Sequence, residues 1–153
     1  AQKGTLALVE TFTAGGITAR IAHLPGAAAV IRRGLIARDF EELAVAVRYA
    51  GELTPASLDR RTLEAVAEAA RRQAQASHAL AVLIDLDEGA DRIDLGATLW
   101  IAIATEHDKA FRRSRIVGGR DWVRLGAIEM GLDCLRRYLQ GLPVDERIDF
   151  ERV

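Results

Sequence analysis

The sequence is poor in the residues that build disulfide-held or metal-held structure. Its 153 residues include one cysteine, Cys134, so an internal disulfide and a cysteine-based zinc site are both excluded. The three histidines, His23, His78 and His107, are scattered without the spacing of metal ligands. We therefore expect no metal site and no cofactor, and we expect surface or capping roles for the histidines.

An excess of charge of one sign and a long apolar run are also missing. The formal net charge is -1 at pH 7 and the pI is near 6.4, which gives no reason to expect nucleic acid or an anionic membrane as a partner. No signal peptide and no apolar segment of membrane-spanning length is present, which predicts a cytoplasmic protein. The chain begins at Ala1-Gln2 without an initiator methionine, which leaves open a trimmed start or a preceding domain.

The sequence does contain the alternating segments of one α/β domain. Half of its residues are apolar, which is enough for a single sizeable core. Strand-like runs alternate with helical periods, and a turn at 106–109 predicts a hairpin, so we expect an α/β sandwich with a mixed sheet over residues 1–141 and a polar tail over 142–153. The predicted strands are 6–9, 28–37, 78–84, 98–104 and 110–117, and the predicted helices are 15–24, 40–49, 58–76 and 121–139.

The segment after the first predicted strand is the main candidate site. This segment reads as a strand followed by a tight turn and a helix start, because a β-prone run precedes two hydroxyl residues and a glycine pair. Such a turn aims N–H groups at an anion or an oxyanion. We expect a small anionic or nucleotide ligand there, with Thr11 as the nucleophile only if the protein is an active enzyme. The structural alternative is that Thr11 bonds the backbone and that the glycines allow close packing. The residues of this site are Glu10, Thr11, Thr13, Gly15 and Gly16.

Three charged groups elsewhere in the sequence offer weaker signals. Arg120 and Arg124 lie one turn apart on the last predicted helix and could hold a phosphate or a carboxylate, or they could pair with Asp121 or Glu129. The acidic run 85–91 lacks the glycine and glutamate of a calcium-binding loop, which favours a solvated loop. The third group would form a basic patch if it gathered in space, and its members are Arg32, Arg33, Arg38, Arg112, Arg113 and Arg115.

A known family carries the same motifs in the same order. Its opening motif, Glu-Ser-x-Thr-Gly-Gly, is matched in register from Glu10 to Gly15. On these motifs the chain, from about Leu6 to Leu139, resembles the C-terminal domain of the CinA family, the competence/damage-inducible proteins. The resemblance implies a three-layer α/β/α fold with a five-stranded mixed sheet. The further matches are 19–20, 24–27, Gly34, 79–82, Gly118, Arg120 and Arg124.

The chain departs from that family where the chemistry is expected. The resemblance implies hydrolysis of the carboxamide of nicotinamide mononucleotide by a serine, assisted by a tyrosine and a lysine. A glycine-rich loop of the family is replaced here by the acidic run 85–91, and the two lysines, Lys3 and Lys109, are distant in sequence from the motif. The positions of the family's serine, tyrosine, second serine, asparagine and lysine hold Thr11, Arg38, Asp39, Phe40 and Leu43. A guanidinium stays protonated, so Arg38 is a poor substitute base.

These departures predict a divergent member that has lost the amidase activity. We expect it to act as a small-ligand-binding or oligomeric module, and we expect a homo-oligomer. The alternatives are an active amidohydrolase that uses Thr11, and a purely structural subunit assembled through the last helix or the tail.

Overall fold

The computed structural model describes residues 4–88 and 95–145, and within them five strands form one mixed sheet in the order β2-β1-β3-β4-β5. β1 is parallel to both β2 and β3, whereas β4 is antiparallel to β3 and to β5. The strands are β1 (Leu6–Glu10), β2 (Ile31–Ile36), β3 (His78–Leu86), β4 (Gly96–Thr105) and β5 (Lys109–Val117). The helices are α1 (Gly16–Ala22), α2 (Ala27–Val30), α3 (Phe40–Val47), α4 (Arg60–Ala74) and α5 (Arg120–Leu139). The expected α/β fold with a five-stranded mixed sheet is confirmed.

Strand alternation divides the core into two layers, one on each face of the sheet. Leu80, Val82 and Ile84 of β3 pack with α1 and α5, whereas Ala81 and Leu83 pack with α3 and α4. Because successive side chains of a strand point to opposite faces, one apolar run supplies both layers. The helices therefore cover both faces, which is the three-layer arrangement that the resemblance implies.

Local signals define the starts of the helices. Asp39 precedes α3, and its carboxylate accepts a hydrogen bond of 2.8 Å from the backbone N–H of Glu42. Asp59 does the same for α4 through the N–H of Thr62, also at 2.8 Å. A carboxylate in this position satisfies a helix N–H that has no partner within the helix.

The predicted strand 28–37 is wrong at its beginning. A short helix, α2, follows Gly26, whose φ of 83° lies in the left-handed region, and the strand begins at Ile31. Leu6 pairs with Ile31 and Ala7 pairs with Arg33, so Arg32 is the extra residue of a bulge. The alanines of α2 have no strand partner on this sheet edge, and their high helix propensity decides the conformation.

Apolar residues spaced by three and four form a stripe along α5 that predicts its buried face, and the observed buried face differs from it in part. The stripe consists of Leu125, Ile128, Leu132, Leu135 and Leu139. Leu125 is 59% exposed and Leu139 is 62% exposed, although both belong to that stripe. The residues that contact the sheet side are smaller, because Gly131 lets α5 approach so closely that an added Cβ would lie 2.9 Å from Ile17. The fully buried side chains of α5 include Val123, Ala127, Met130 and Cys134.

The arginines of the possible basic patch do not gather in space, because they lie on or beside the two outer strands of the sheet, β2 and β5. β2 carries Arg32 and Arg33, whereas β5 carries the second group, and three strands separate β2 from β5. Arg112 is buried, and its guanidinium donates to the carbonyl of Val144 at 3.0 Å, so it holds the start of the tail on the core. The rest of the tail, residues 146–153, lies outside the described residues. No helix of the described ranges is long and apolar enough to cross a bilayer.

We predict that Gly96→Ala lowers the free energy of unfolding by about 1–3 kcal/mol, because a close-packed site does not accept an added methyl group. A Cβ at Gly96 would lie 1.9 Å from the backbone oxygen of Ile116 on the neighbouring strand. Gly4→Ala is the matched control, because its Cβ would meet its nearest neighbour at an ordinary 3.5 Å. Urea unfolding of both variants tests this, and equal stabilities would contradict it.

Candidate functional site

A pocket of about 470 Å³ opens at the carboxyl edge of the parallel strands. The turn after β1, the segment between β2 and α3, the loop before α4 and the end of β3 contribute to it. This is the edge at which ligands bind in open α/β sheets. Its described polar lining residues are Thr11, Arg38, Asp39, Glu41, Thr54 and Asp85, and its described apolar lining residues are Phe12, Phe40, Leu53, Pro55, Ile84 and Leu86.

The carboxylate of Glu10 binds the start of α1. One carboxylate oxygen accepts from the Thr13 hydroxyl at 2.6 Å and from the Ile17 N–H at 3.0 Å. The other accepts from the Thr18 N–H at 2.8 Å and the Thr18 hydroxyl at 2.6 Å. Glu10 is only 1% exposed, so these four hydrogen bonds replace the water that a carboxylate otherwise requires.

This arrangement occupies the anion-binding capacity of the predicted turn. The N–H groups of Gly16 and Ala19 donate to backbone carbonyls of Thr13 and Gly15, and those of Ile17 and Thr18 donate to Glu10. All four N–H groups at the helix start therefore have partners inside the chain. An external anion at the start of α1 would have to displace the carboxylate of Glu10.

The two glycines of the turn have packing reasons of their own. Gly15 has a φ of 86°, and a Cβ there would lie 2.7 Å from Ile36. A Cβ on Gly16 would lie 2.3 Å from Ile128 of α5. These contacts support the structural interpretation, in which the glycines let α1 lie close to its neighbours.

Thr11 lies in the wall of the pocket and is 5% exposed. Its Oγ1 accepts a hydrogen bond of 3.0 Å from the backbone N–H of Ile84, and its own N–H donates to the carbonyl of Val82 at 3.3 Å. The turn is thereby fixed to β3. The backbone hydrogen bond of the structural alternative is present, and Thr11 is also a lining residue of the cavity.

The positions of the family's tyrosine and lysine do not supply a base. The side chain of Arg38 is 83% exposed at the rim and contacts Asp39 at 3.3 Å and Glu42 at 3.7 Å. Leu43 is completely buried among the apolar residues between α3, α4 and the sheet. Lys109 pairs with Ala104, which pairs with Ala79 at the beginning of β3. Lys109 therefore lies at the opposite end of the strands from the pocket. Among the described residues, therefore, no lysine faces Thr11.

The two arginines of α5 lie beside the site without lining it. The guanidinium of Arg124 lies 5.2 Å from the ring centroid of Phe12 and 3.6 Å from a carboxylate oxygen of Asp121. Glu129 pairs with Arg20 instead, at 2.6 Å. Arg120 is exposed at the first position of the helix. The structure thus brings Arg124 to the turn through Phe12, and Arg120 is not among the described lining residues of the pocket.

The end of β3 carries two aspartates in opposite electrostatic environments. Arg115 donates to both oxygens of Asp87, at 2.7 and 2.6 Å, and these hydrogen bonds hold the pKa of Asp87 below its usual value. Burial raises the pKa of Asp85, and the neighbouring charge of Asp87 raises it further. The sequence predicts a solvated loop from Asp85 onward. In the structure β3 continues through Asp85 to Leu86, and Asp85 lines the pocket.

No group of three or more histidine, cysteine, aspartate or glutamate side chains within residues 4–88 and 95–145 is arranged to hold a metal ion. Part of the acidic run, residues 89–91, lies outside the described residues. Asp87, which belongs to the same run, binds Arg115.

The order of the strands, the helices on both faces and the pocket at the carboxyl edge define a three-layer α/β/α domain with a small-molecule-sized site. The CinA C-terminal domain family matches residues 1–139. This chain therefore belongs to the CinA C-terminal domain family.

Similar proteins agree with this assignment. A CinA-like protein of Frankia casuarinae is 31% identical over 95% of this chain, and one of Geobacter sulfurreducens is 33% identical over 90%. The chain spans about one third of the length of these curated relatives, 34% of each.

Solved structures show the same fold. A CinA superfamily protein of Klebsiella pneumoniae has a TM-score of 0.77 at 19% identity, covering 91% of this chain and 89% of that one. A competence/damage-inducible protein of Agrobacterium tumefaciens has a TM-score of 0.75 at 20% identity, covering 90% and 87%.

We predict that Glu10→Gln lowers the free energy of unfolding by about 1–3 kcal/mol, because the amide NH₂ faces buried donors and leaves one of them unsatisfied. Chemical denaturation measures the change. Glu41→Gln removes the same charge from an exposed side chain and is expected to change stability little. Equal losses in the two variants would contradict a capping role for Glu10.

We predict that Asp85→Asn stabilises the protein at pH 7 and that Asp87→Asn destabilises it. A raised pKa in the folded state means that ionised Asp85 opposes folding above that pKa, and this effect disappears below the unfolded pKa of about 3.9. The lowered pKa of Asp87 means that its stabilising effect is complete above about pH 3.9 and is lost as the pH falls through its folded pKa. Urea unfolding from pH 7 down to about pH 3 tests both signs.

Proposed function

We propose that this domain binds a small molecule in the pocket at the carboxyl edge and has lost the amide hydrolysis that the family resemblance implies. The observation that supports the loss is the surroundings of Thr11. Thr11 lines the pocket, and no described lining residue is a lysine or a tyrosine. A hydroxyl needs a neighbouring proton acceptor before it attacks an amide carbon.

Two further properties of Thr11 support the same proposal. Its Oγ1 accepts the N–H of Ile84, so one of its lone pairs is already used. It is also almost completely buried, and its β-methyl group crowds the approach of a carbonyl carbon. Serine in the same place would lack that methyl group.

The pocket itself supports binding. Its volume of about 470 Å³ falls within the usual range of small-molecule sites, roughly 300–1,000 Å³. Two phenyl rings, Phe12 and Phe40, line it together with a few polar groups. Apolar walls with a small number of convergent polar atoms are typical of ligand sites.

One observation favours an active enzyme as the second candidate. Asp85 lines the same pocket as Thr11, and burial raises its pKa, which makes its carboxylate a better proton acceptor than an ordinary aspartate. In that case Thr11 would attack the amide carbon, and Asp85 would take the hydroxyl proton and pass it to the amide nitrogen. The C–N bond would then break to release ammonia, and water would hydrolyse the remaining ester to a carboxylate and free Thr11.

We predict that this chain releases no ammonia from nicotinamide mononucleotide under conditions in which a serine-bearing CinA domain does. Coupled detection of ammonia at matched protein concentrations makes the comparison. Thr11→Val separates the two candidates, because it removes the hydroxyl and keeps the shape of the side chain. Ammonia release that Thr11→Val abolishes would overturn the proposal and establish the second candidate.

Binding is measured independently of turnover. Isothermal titration with pyridine nucleotides and nucleosides is expected to show heat of binding by the wild-type chain. We expect Thr54→Trp to lose that heat of binding. Thr54 lines the pocket on the loop before α4, so a tryptophan there would fill the cavity. Unchanged binding in this variant would place the ligand elsewhere on the protein.

A further inference from the structure

We infer that the pocket selects a cationic small molecule without a phosphate, with Asp85 as its counter-ion and the Thr11 hydroxyl as a hydrogen-bond donor. The inference rests on the proposed binding function and names the ligand class for the same site. It replaces the anionic ligand expected from the sequence.

The charges around the cavity favour a cation. The described lining includes three carboxylates, Asp39, Glu41 and Asp85, and one guanidinium, Arg38. That guanidinium already contacts Asp39 at 3.3 Å and the adjacent Glu42 at 3.7 Å. A doubly charged phosphate in this cavity would face more negative than positive charge, and a low local dielectric constant strengthens that repulsion.

The groups that would otherwise hold a phosphate are occupied. The N–H groups of Ile17 and Thr18 and the hydroxyls of Thr13 and Thr18 all donate to Glu10. Because Glu10 is buried and satisfied, it does not leave this position without a large cost. The helix start therefore offers an incoming anion no available donor among these groups.

Asp85 is the lining carboxylate that lies deepest in the fold. It belongs to β3, next to the strand that leads into Thr11, whereas Asp39 and Glu41 lie at the start of α3. Arg115 donates to both oxygens of Asp87, and its charge also lowers the pKa of Asp85. No described residue forms an ion pair with Asp85, and the pKa of Asp85 is still raised, so Arg115 balances its charge only in part. A cationic ligand would balance it and would lower the pKa that burial has raised.

Thr11 supplies the second, independent indication of a ligand. It is 5% exposed and lines the cavity, and its Oγ1 accepts the N–H of Ile84. The hydrogen of the hydroxyl has no acceptor among the described residues. A buried donor without an acceptor costs free energy, and a ligand oxygen within the pocket would satisfy it.

The apolar lining suits an organic cation better than a metal ion. Phe12 and Phe40 line the cavity, and an aromatic face attracts a positive charge. The Phe12 ring already has the guanidinium of Arg124 at 5.2 Å from its centroid, so Phe40 is the ring left for a ligand. Within the described residues, no group of three acidic, histidine or cysteine side chains could coordinate a metal. A planar cationic ring with a carbonyl group would satisfy Phe40, Asp85 and Thr11 together.

Two compounds that differ only in a phosphate test the inference on the full chain. Nicotinamide riboside is a cation with a carboxamide, and nicotinamide mononucleotide adds a phosphate to it. Isothermal titration at low ionic strength is expected to show the riboside binding at least about tenfold more tightly than the mononucleotide, the factor that corresponds to about 1.4 kcal/mol.

Variants identify the residues responsible. Asp85→Asn is expected to weaken riboside binding about tenfold or more, and Thr11→Val is expected to weaken it several-fold. Glu106→Gln is the matched control, because it removes the same charge from an exposed turn at the end of the strands away from the pocket. We expect this variant to keep the affinity for the riboside within about twofold of the wild type. Thermal unfolding of Asp85→Asn shows that the variant is folded.

Each outcome decides between the inference and the proposed function. If the mononucleotide binds as tightly as the riboside, or if Asp85→Asn binds the riboside like the wild type, the inference is overturned and the proposed function stands. If the wild-type chain binds neither compound at millimolar concentration, both are overturned. Tighter riboside binding that depends on Asp85 supports both.

Discussion

The buried carboxylate of Glu10 is the interaction on which the rest of this structure depends. It ends β1 and accepts four hydrogen bonds from the turn and the first residues of α1, at 2.6–3.0 Å. A charge that is 1% exposed is stable only because these donors replace water. The same contacts fix the direction of α1, whose Gly16 lies against Ile128 of α5. The strand, the turn and two helices on one face of the sheet therefore form one rigid unit.

The pocket follows from the turn that Glu10 fixes and from the order of the strands. Because β1 and β3 are parallel neighbours, Thr11 and Asp85 reach the same edge, although 73 residues separate Thr11 from its hydrogen-bond donor Ile84. Beyond them, the ion pair of Asp87 and Arg115 joins β3 to β5. The result is a cavity with a fixed wall, whose described lining carries three carboxylates and one guanidinium.

The fold of this protein is retained at low sequence identity. The two solved structures described above share its fold at TM-scores of 0.77 and 0.75, with only 19% and 20% identical residues. Many apolar residues of similar volume fill such a core, so the fold tolerates extensive substitution. A reaction requires particular groups at particular distances, so a shared fold does not by itself determine the chemistry of the site.

The sequence by itself determined most of the strands, most of the helices and the hairpin, because apolar runs and helical periods act between residues close in the chain. Only the tertiary structure decided which face of α5 is buried, that Leu43 points into the core, that Glu10 occupies the helix start and that Asp85 lines the pocket. These features depend on the order of the strands and on the close approach that glycines allow. Contacts between distant segments follow from packing the whole chain, and no local pattern encodes them.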